Sequence, residues 1–201
     1  PRAARHSSQL FITVASLVAS FAALMRVRNQ SSVDAAMGSV GFDGAGVLLQ
    51  ASILIIALLS VFLIADQENF TALAAAVPGS SEERESLQLD LRVTEVYPLT
   101  LFAVAGMMLF PVSTDLITLF VALEVLSLPL YLMAGLSRRR RLMSQESALK
   151  YFLLGAFSSA FFLFGAAYLY GYSGSITFAG IQASVVGGSG NDVFLLLGIA
   201  F

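Results

Sequence analysis

Five blocks of the chain are predominantly apolar over 17 or more positions, with few charges inside them. A bilayer core of about 30 Å takes roughly 20 such residues in a helix. That length match excludes most soluble folds. The blocks are apolar all round the helical wheel, as expected of helices that face lipid and neighbours at once. The expected architecture is an all-α membrane protein, a polytopic transmembrane helix bundle with about six spans. These lie at about 9–25, 45–65, 96–112, 115–136, 146–170 and 192–201, within a single membrane domain over residues 1–201. The last span has about ten residues, too few to cross a bilayer. The sequence starts on Pro1 and stops inside the apolar run VFLLLGIAF, so a fragment of a longer chain is expected. The leader PRAARHSS is basic and would also suit a signal peptide, but no small-residue cleavage site follows it.

Between the spans, residues 26–44 read as a polar, glycine-bearing loop. Residues 66–95 form a longer charged connection, in which Ser80 and Glu83 have capping-box spacing. The stretch LQLDLRV after it alternates with period two, as a short strand or an interfacial segment would. Residues 171–191 carry turn residues at both ends, and Asn191 or Asp192 would cap the final span. Arginine placement sets the orientation. With Arg138–Arg141 in the cytoplasm, Arg2, Arg5, Arg84 and Arg92 fall on the same side, and only Arg26 and Arg28 fall outside.

Composition removes several chemistries. Charged residues are 12% of the chain and the net charge is −2, which argues against nucleic acid as a partner. The absence of cysteine excludes disulfides, thiolate catalysis, iron–sulfur clusters and cysteine zinc sites. His6, the one histidine, sits in the basic leader, and no metal cluster or nucleophile with its base is visible. GFDGAG and GGSGND lack the spacing and lysine of a phosphate loop.

Two charged groups do not fit a purely lipid-facing bundle. Glu124 lies about ten residues from either end of its span, where a charge costs roughly 2.5–3.5 kcal/mol. Its side chain is too short to reach water over about 15 Å. It must face protein or a wet cavity. Ser127 and Tyr131, at i+3 and i+7, share its face. Pro129 has no N–H for the carbonyl of Val125, so a kink one turn past the carboxylate would give water room there. Glu124 either handles protons or is a protonated acid bonded between helices for packing. Lys150 is the one lysine in the chain, and lysine releases its proton more readily than arginine when desolvated. It could equally snorkel, or pair with Glu146 at i−4. Along straight helices Glu124 and Lys150 stand roughly 10–15 Å apart, so a direct salt bridge is not expected. Gly155 and Ser159, with Ala156 and Ala160, form a small-residue stripe that permits close helix packing.

The string LFVALEVLSLPLYLMAGL, a basic turn, then ESALKYFLLGAFSSAFFLFG and LYGYSGS resembles subunit N of bacterial NADH-quinone oxidoreductase, respiratory complex I. The resemblance is densest over residues 115–175. It implies an antiporter-like fold and a non-redox subunit of the enzyme, moving protons through a buried chain of glutamate, lysine and water while quinone is reduced in other subunits. Glu124 and Lys150 match the family's proton-transfer glutamate and the lysine on the following helix; Ser127, Pro129, Tyr131 and Glu146 would support them. The resemblance implies no cofactor in this chain: NADH, FMN, iron–sulfur clusters and quinone belong to other subunits. Implied partners are the other membrane subunits of complex I, the lipid bilayer and protons, in the bacterial inner membrane. A cation/proton antiporter subunit and a structural membrane scaffold are the alternatives.

Overall fold

The computed structural model describes residues 2–28, 33–65, 95–136, 141–188 and 190–201, together with Ser80, Ser81 and Arg84. Seven helices are assigned among them: α1 (Arg2–Val27), α2 (Gly44–Ala65), α3 (Val96–Leu109), α4 (Leu116–Leu136), α5 (Arg141–Ser173), α6 (Phe178–Gly187) and α7 (Asp192–Ala200). Four segments are long and apolar enough to cross a membrane: Ser7–Val27, Gly44–Ala65, Leu116–Leu136 and Leu142–Ser173. The helix α3 is shorter and continues as a 3-10 turn over Phe110–Val112. Ser80–Glu83, LQLDLRV and Arg138–Arg140 lie wholly or partly outside the described residues.

The connection 26–44 is more ordered than a polar loop. It folds into a hairpin of β1 (Val33–Ala35) and β2 (Val40–Phe42), with Asp34 opposite Gly41. The reversal places Gly38 at φ +89°, where glycine carries no steric penalty. The hairpin meets the other connections at this end of the bundle. Thr114 N–H donates to Ser39 O at 3.0 Å, Leu116 N–H to Ile176 O at 3.0 Å, and Phe178 N–H to Thr114 O at 3.0 Å. Single bridges join Val40 to Ser113 and Asp115 to Thr177. Three loops distant in sequence therefore share their backbone hydrogen bonds, which leaves fewer polar groups to satisfy at the membrane boundary.

The segment 171–191 also differs from a plain loop. Helix α5 runs on to Ser173, and α6 follows, capped by Thr177, whose side chain accepts from Gly180 N at 3.1 Å. Asn191, not Asp192, caps α7 by accepting from Val193 N at 3.0 Å.

The buried core lies between α1, α2 and α3, where Leu17, Leu24, Leu54, Ala57, Val61, Tyr97 and Val104 pack together. Outward faces remain apolar, with Phe11, Leu48, Phe62 and Phe102 exposed. That inversion of the soluble pattern is what a lipid solvent permits. Glycines set the closest approaches. A Cβ on Gly106 of α3 would collide with the backbone nitrogen of Leu126 on α4. A Cβ on Gly198 of α7 would come within 3.0 Å of the backbone nitrogen of Leu169 on α5.

Candidate functional site

Helices α4 and α5 run antiparallel and carry the site between them. From the hairpin end toward the arginine-bearing end, their facing pairs come in order. Phe120 stacks on Phe162 at 6.1 Å between ring centroids. Glu124 then meets Ser159, whose Oγ donates to Glu124 Oε1. Tyr131 packs edge-on against Tyr151 at 4.7 Å and Phe152 at 5.8 Å. Last, Ser144 Oγ donates to Ala134 O at 2.7 Å.

Why Glu124 takes this face follows from helical spacing. Tyr131 is seven residues on, about two turns, so both side chains project toward α5. On α5 the stripe that answers them contains Gly155 and Ser159, four residues and about one turn apart. Ser159 is 8% exposed and Tyr131 9%. The carboxylate thus has a polar partner inside the protein, as a charge or acid at membrane depth requires. Gly155 is needed for this packing: a methyl there would run into the Tyr131 hydroxyl.

The remaining sequence candidates are distributed differently. Ser127 turns its hydroxyl back to its own helix and donates to Leu123 O at 2.6 Å. Pro129 is buried within α4, which is helical from Leu116 to Leu136. Lys150 pairs with Glu146, Nζ to Oε1 at 2.5 Å, with 74% and 63% of their side chains exposed. Lys150 is nine residues from Ser159, about two and a half turns, which puts it on the opposite face of α5. The structure joins Glu124, Ser159 and Tyr131 in one seam and leaves Lys150 outside it.

Ser159 is the residue that sequence reasoning placed in a packing stripe without seeing its partner. Two helices joined by a short turn pair residues at equal distances from it; counted from Leu136 and Arg141, this sets Glu124 opposite Leu153, six residues short of Ser159, so spacing alone does not find the pair. Among the described residues no group of three or more His, Cys, Asp or Glu could hold a metal ion.

Residues 113–201, which contain Glu124, Lys150 and Ser159, match the family model described as NADH:quinone oxidoreductase/Mrp antiporter, transmembrane region. Subunit N of NADH-quinone oxidoreductase from Acidothermus cellulolyticus is 47% identical over 205 residues, covering 100% of this chain and 40% of that protein. The chain belongs to the NADH-quinone oxidoreductase subunit N family. The subunit N 3 of Streptomyces griseus is 46% identical over 98% of this chain and 41% of its own length. The chain therefore spans about two fifths of the curated subunit N relatives it matches. A respiratory complex I structure from Thermus thermophilus superposes with a TM-score of 0.69 at 31% identity, over 97% of this chain and 36% of that one. An archaeal membrane-bound sulfane sulfur reductase shares the fold, with a TM-score of 0.64 at 19% identity. The subunit N chain is thus an integral membrane protein with an antiporter-like helical fold.

Proposed function

We propose that this chain forms part of a proton-translocating membrane subunit of complex I, and that Glu124 holds the proton in transit. The carrying observation is the Glu124–Ser159 hydrogen bond between two membrane-length helices. A carboxyl at that depth is expensive unless it has polar company, and it has been given one hydroxyl within the protein. Its family supplies the context: subunit N relatives are named for NADH-quinone oxidoreductase. The chain itself would do no redox chemistry. Quinone reduction in other subunits would shift the protonation of Glu124, and the proton would cross in steps. NADH, FMN, iron–sulfur clusters and quinone would be held by those subunits.

Lys150 is the second station in this proposal. It occupies the face of α5 on which α7 packs. Phe201, just after α7, contacts Phe161, Phe164 and Tyr168. Those residues are 11, 14 and 18 positions from Lys150, about three, four and five turns, hence on its face. The bacterial cell membrane would be its site, and the arginine excess supports a cytoplasmic 138–141 turn with the hairpin end outside.

The test is Glu124→Gln in the complete complex, reconstituted in liposomes. We expect assembly and quinone reductase activity to persist while proton transport per turnover falls. Full proton transport in that variant overturns the proposal and favours a scaffold role for the chain.

A further inference from the structure

We infer that Ser159 and Tyr131 form a hydroxyl relay through which Glu124 exchanges its proton along the α4–α5 seam, toward the arginine-bearing end. The inference rests on the proton-handling role of Glu124 proposed above, and adds the route that serves it.

A serine hydroxyl has one proton to give and two lone pairs to receive on. Ser159 gives its proton to Glu124 Oε1. It can therefore pass a proton without ionising. A donor on its far side places a proton on Oγ as the original Oγ–H moves to the carboxylate. One positive charge arrives, Glu124 becomes neutral, and Ser159 ends as it began. The reverse hop empties Glu124 through the same oxygen.

The next hydroxyl in the seam is that of Tyr131. Gly155, the glycine one turn from Ser159, is where it lies, since a Cβ there would collide with Oη. Its ring is fixed by near-perpendicular contacts with Tyr151, at 85°, and Phe152, at 83°. A tyrosine ring needs only an apolar wall. Placing its hydroxyl against a glycine backbone, on the side from which Ser159 is reached, does more than packing requires. Gly155 and Ser159 are one turn, about 5.4 Å of rise, apart on the same face of α5, and the relay closes through water bridging the two hydroxyls. Tyr131 would accept one proton from such a water chain and pass one on, remaining neutral. The Lys150 ammonium is on the opposite face of α5 and takes no part in this exchange.

Ser159 acts through Glu124, so a packing role has to be separated from a relay role. The variants Ser159→Ala, Ser159→Thr and Tyr131→Phe would be made in the complete complex. Proton transport is read in proteoliposomes, and the protonated Glu124 carbonyl stretch by difference infrared spectroscopy, assigned through its loss in Glu124→Gln. Relay loss should slow proton transport by about a hundredfold in Ser159→Ala and Tyr131→Phe, the lower end of the range for a removed proton-transfer group. Ser159→Thr keeps the hydroxyl and should restore both the rate and the band position that Ser159→Ala shifts. Transport at the parent rate in either Ser159→Ala or Tyr131→Phe overturns the relay, as does a Ser159→Thr variant as slow as Ser159→Ala. If Glu124→Gln itself transports protons fully, the function proposed for Glu124 fails first. If Glu124→Gln stops transport and Ser159→Ala does not, the relay alone fails.

Discussion

Lys150 Nζ stands 2.5 Å from Glu146 Oε1, one turn away on a face of α5 that does not meet Glu124. The acid lies N-terminal to the base at i,i+4, the favourable order on a helix. Both side chains are mostly exposed in the described chain, and where they face water such an i,i+4 pair is worth about 0.3–0.5 kcal/mol.

That small value makes a prediction. Glu146→Gln in the complete complex should leave assembly, thermal midpoint and proton transport close to those of the parent. Transport assays on the reconstituted variant check it. A loss of transport with Lys150 intact would show that the pair itself, not Lys150 alone, belongs to the proton path.

Asp115 makes a second prediction, about pH. It is 4% exposed and caps α4, accepting from Thr118 N at 2.7 Å and Thr118 Oγ1 at 2.8 Å. Burial, the largest single influence, pushes its carboxyl up. The combined hydrogen bonds from the Thr118 backbone and side chain, the Ser39 side chain and the Ile117 backbone outweigh it and hold the carboxyl below 3.8. A group lowered in the folded state adds stability above its unfolded value and loses it as pH falls through the folded value. The Asp115 contribution should therefore be constant above pH 3.8 and fade only in stronger acid. Asp115→Ala should cost about 0.5–2 kcal/mol. Asp115→Asn should keep most of the cap and remove the acid dependence. Unfolding of the full-length subunit in detergent, followed against pH, checks both.

The residues that declared themselves in the sequence did so through period. The block 115–136 lies close to α4, Leu116–Leu136, because apolar length is a local signal; the capping role of Asp115 came only from the structure. Tyr131 was legible as a neighbour of Glu124 for the same reason, being two turns away on one helix. Ser159 was not, because its role depends on the register between helices, and a one-turn slide changes the partner. The reading of 26–44 as a plain loop missed β1 and β2 because three-residue strands are too short for period two to show. They persist because Thr114, from elsewhere in the chain, donates its N–H to Ser39 O in the hairpin turn.

Gly106 and Gly198 carry the last prediction, which depends on what a new methyl would strike. At Gly106 the obstacles are the Leu126 nitrogen, its Cα at 2.7 Å and the Ala122 carbonyl oxygen at 2.9 Å, all in the α4 backbone. Backbone inside a helix cannot turn aside, so α3 and α4 would have to separate, and α4 carries Glu124. At Gly198 the nearest atoms are the Leu169 Cγ at 2.7 Å and Cδ2 at 2.8 Å, which a rotamer change can move, with the Leu169 nitrogen farther away at 3.0 Å. Overpacking of this kind costs about 1–3 kcal/mol. Gly106→Ala should fall at the upper end and Gly198→Ala at the lower. Thermal unfolding of the two full-length variants, with proton transport measured alongside, checks the order. Equal costs would mean that α3 can shift away from α4 as easily as Leu169 changes rotamer, and the α3–α4 contact would then be too soft to hold Glu124 at a fixed height against Ser159.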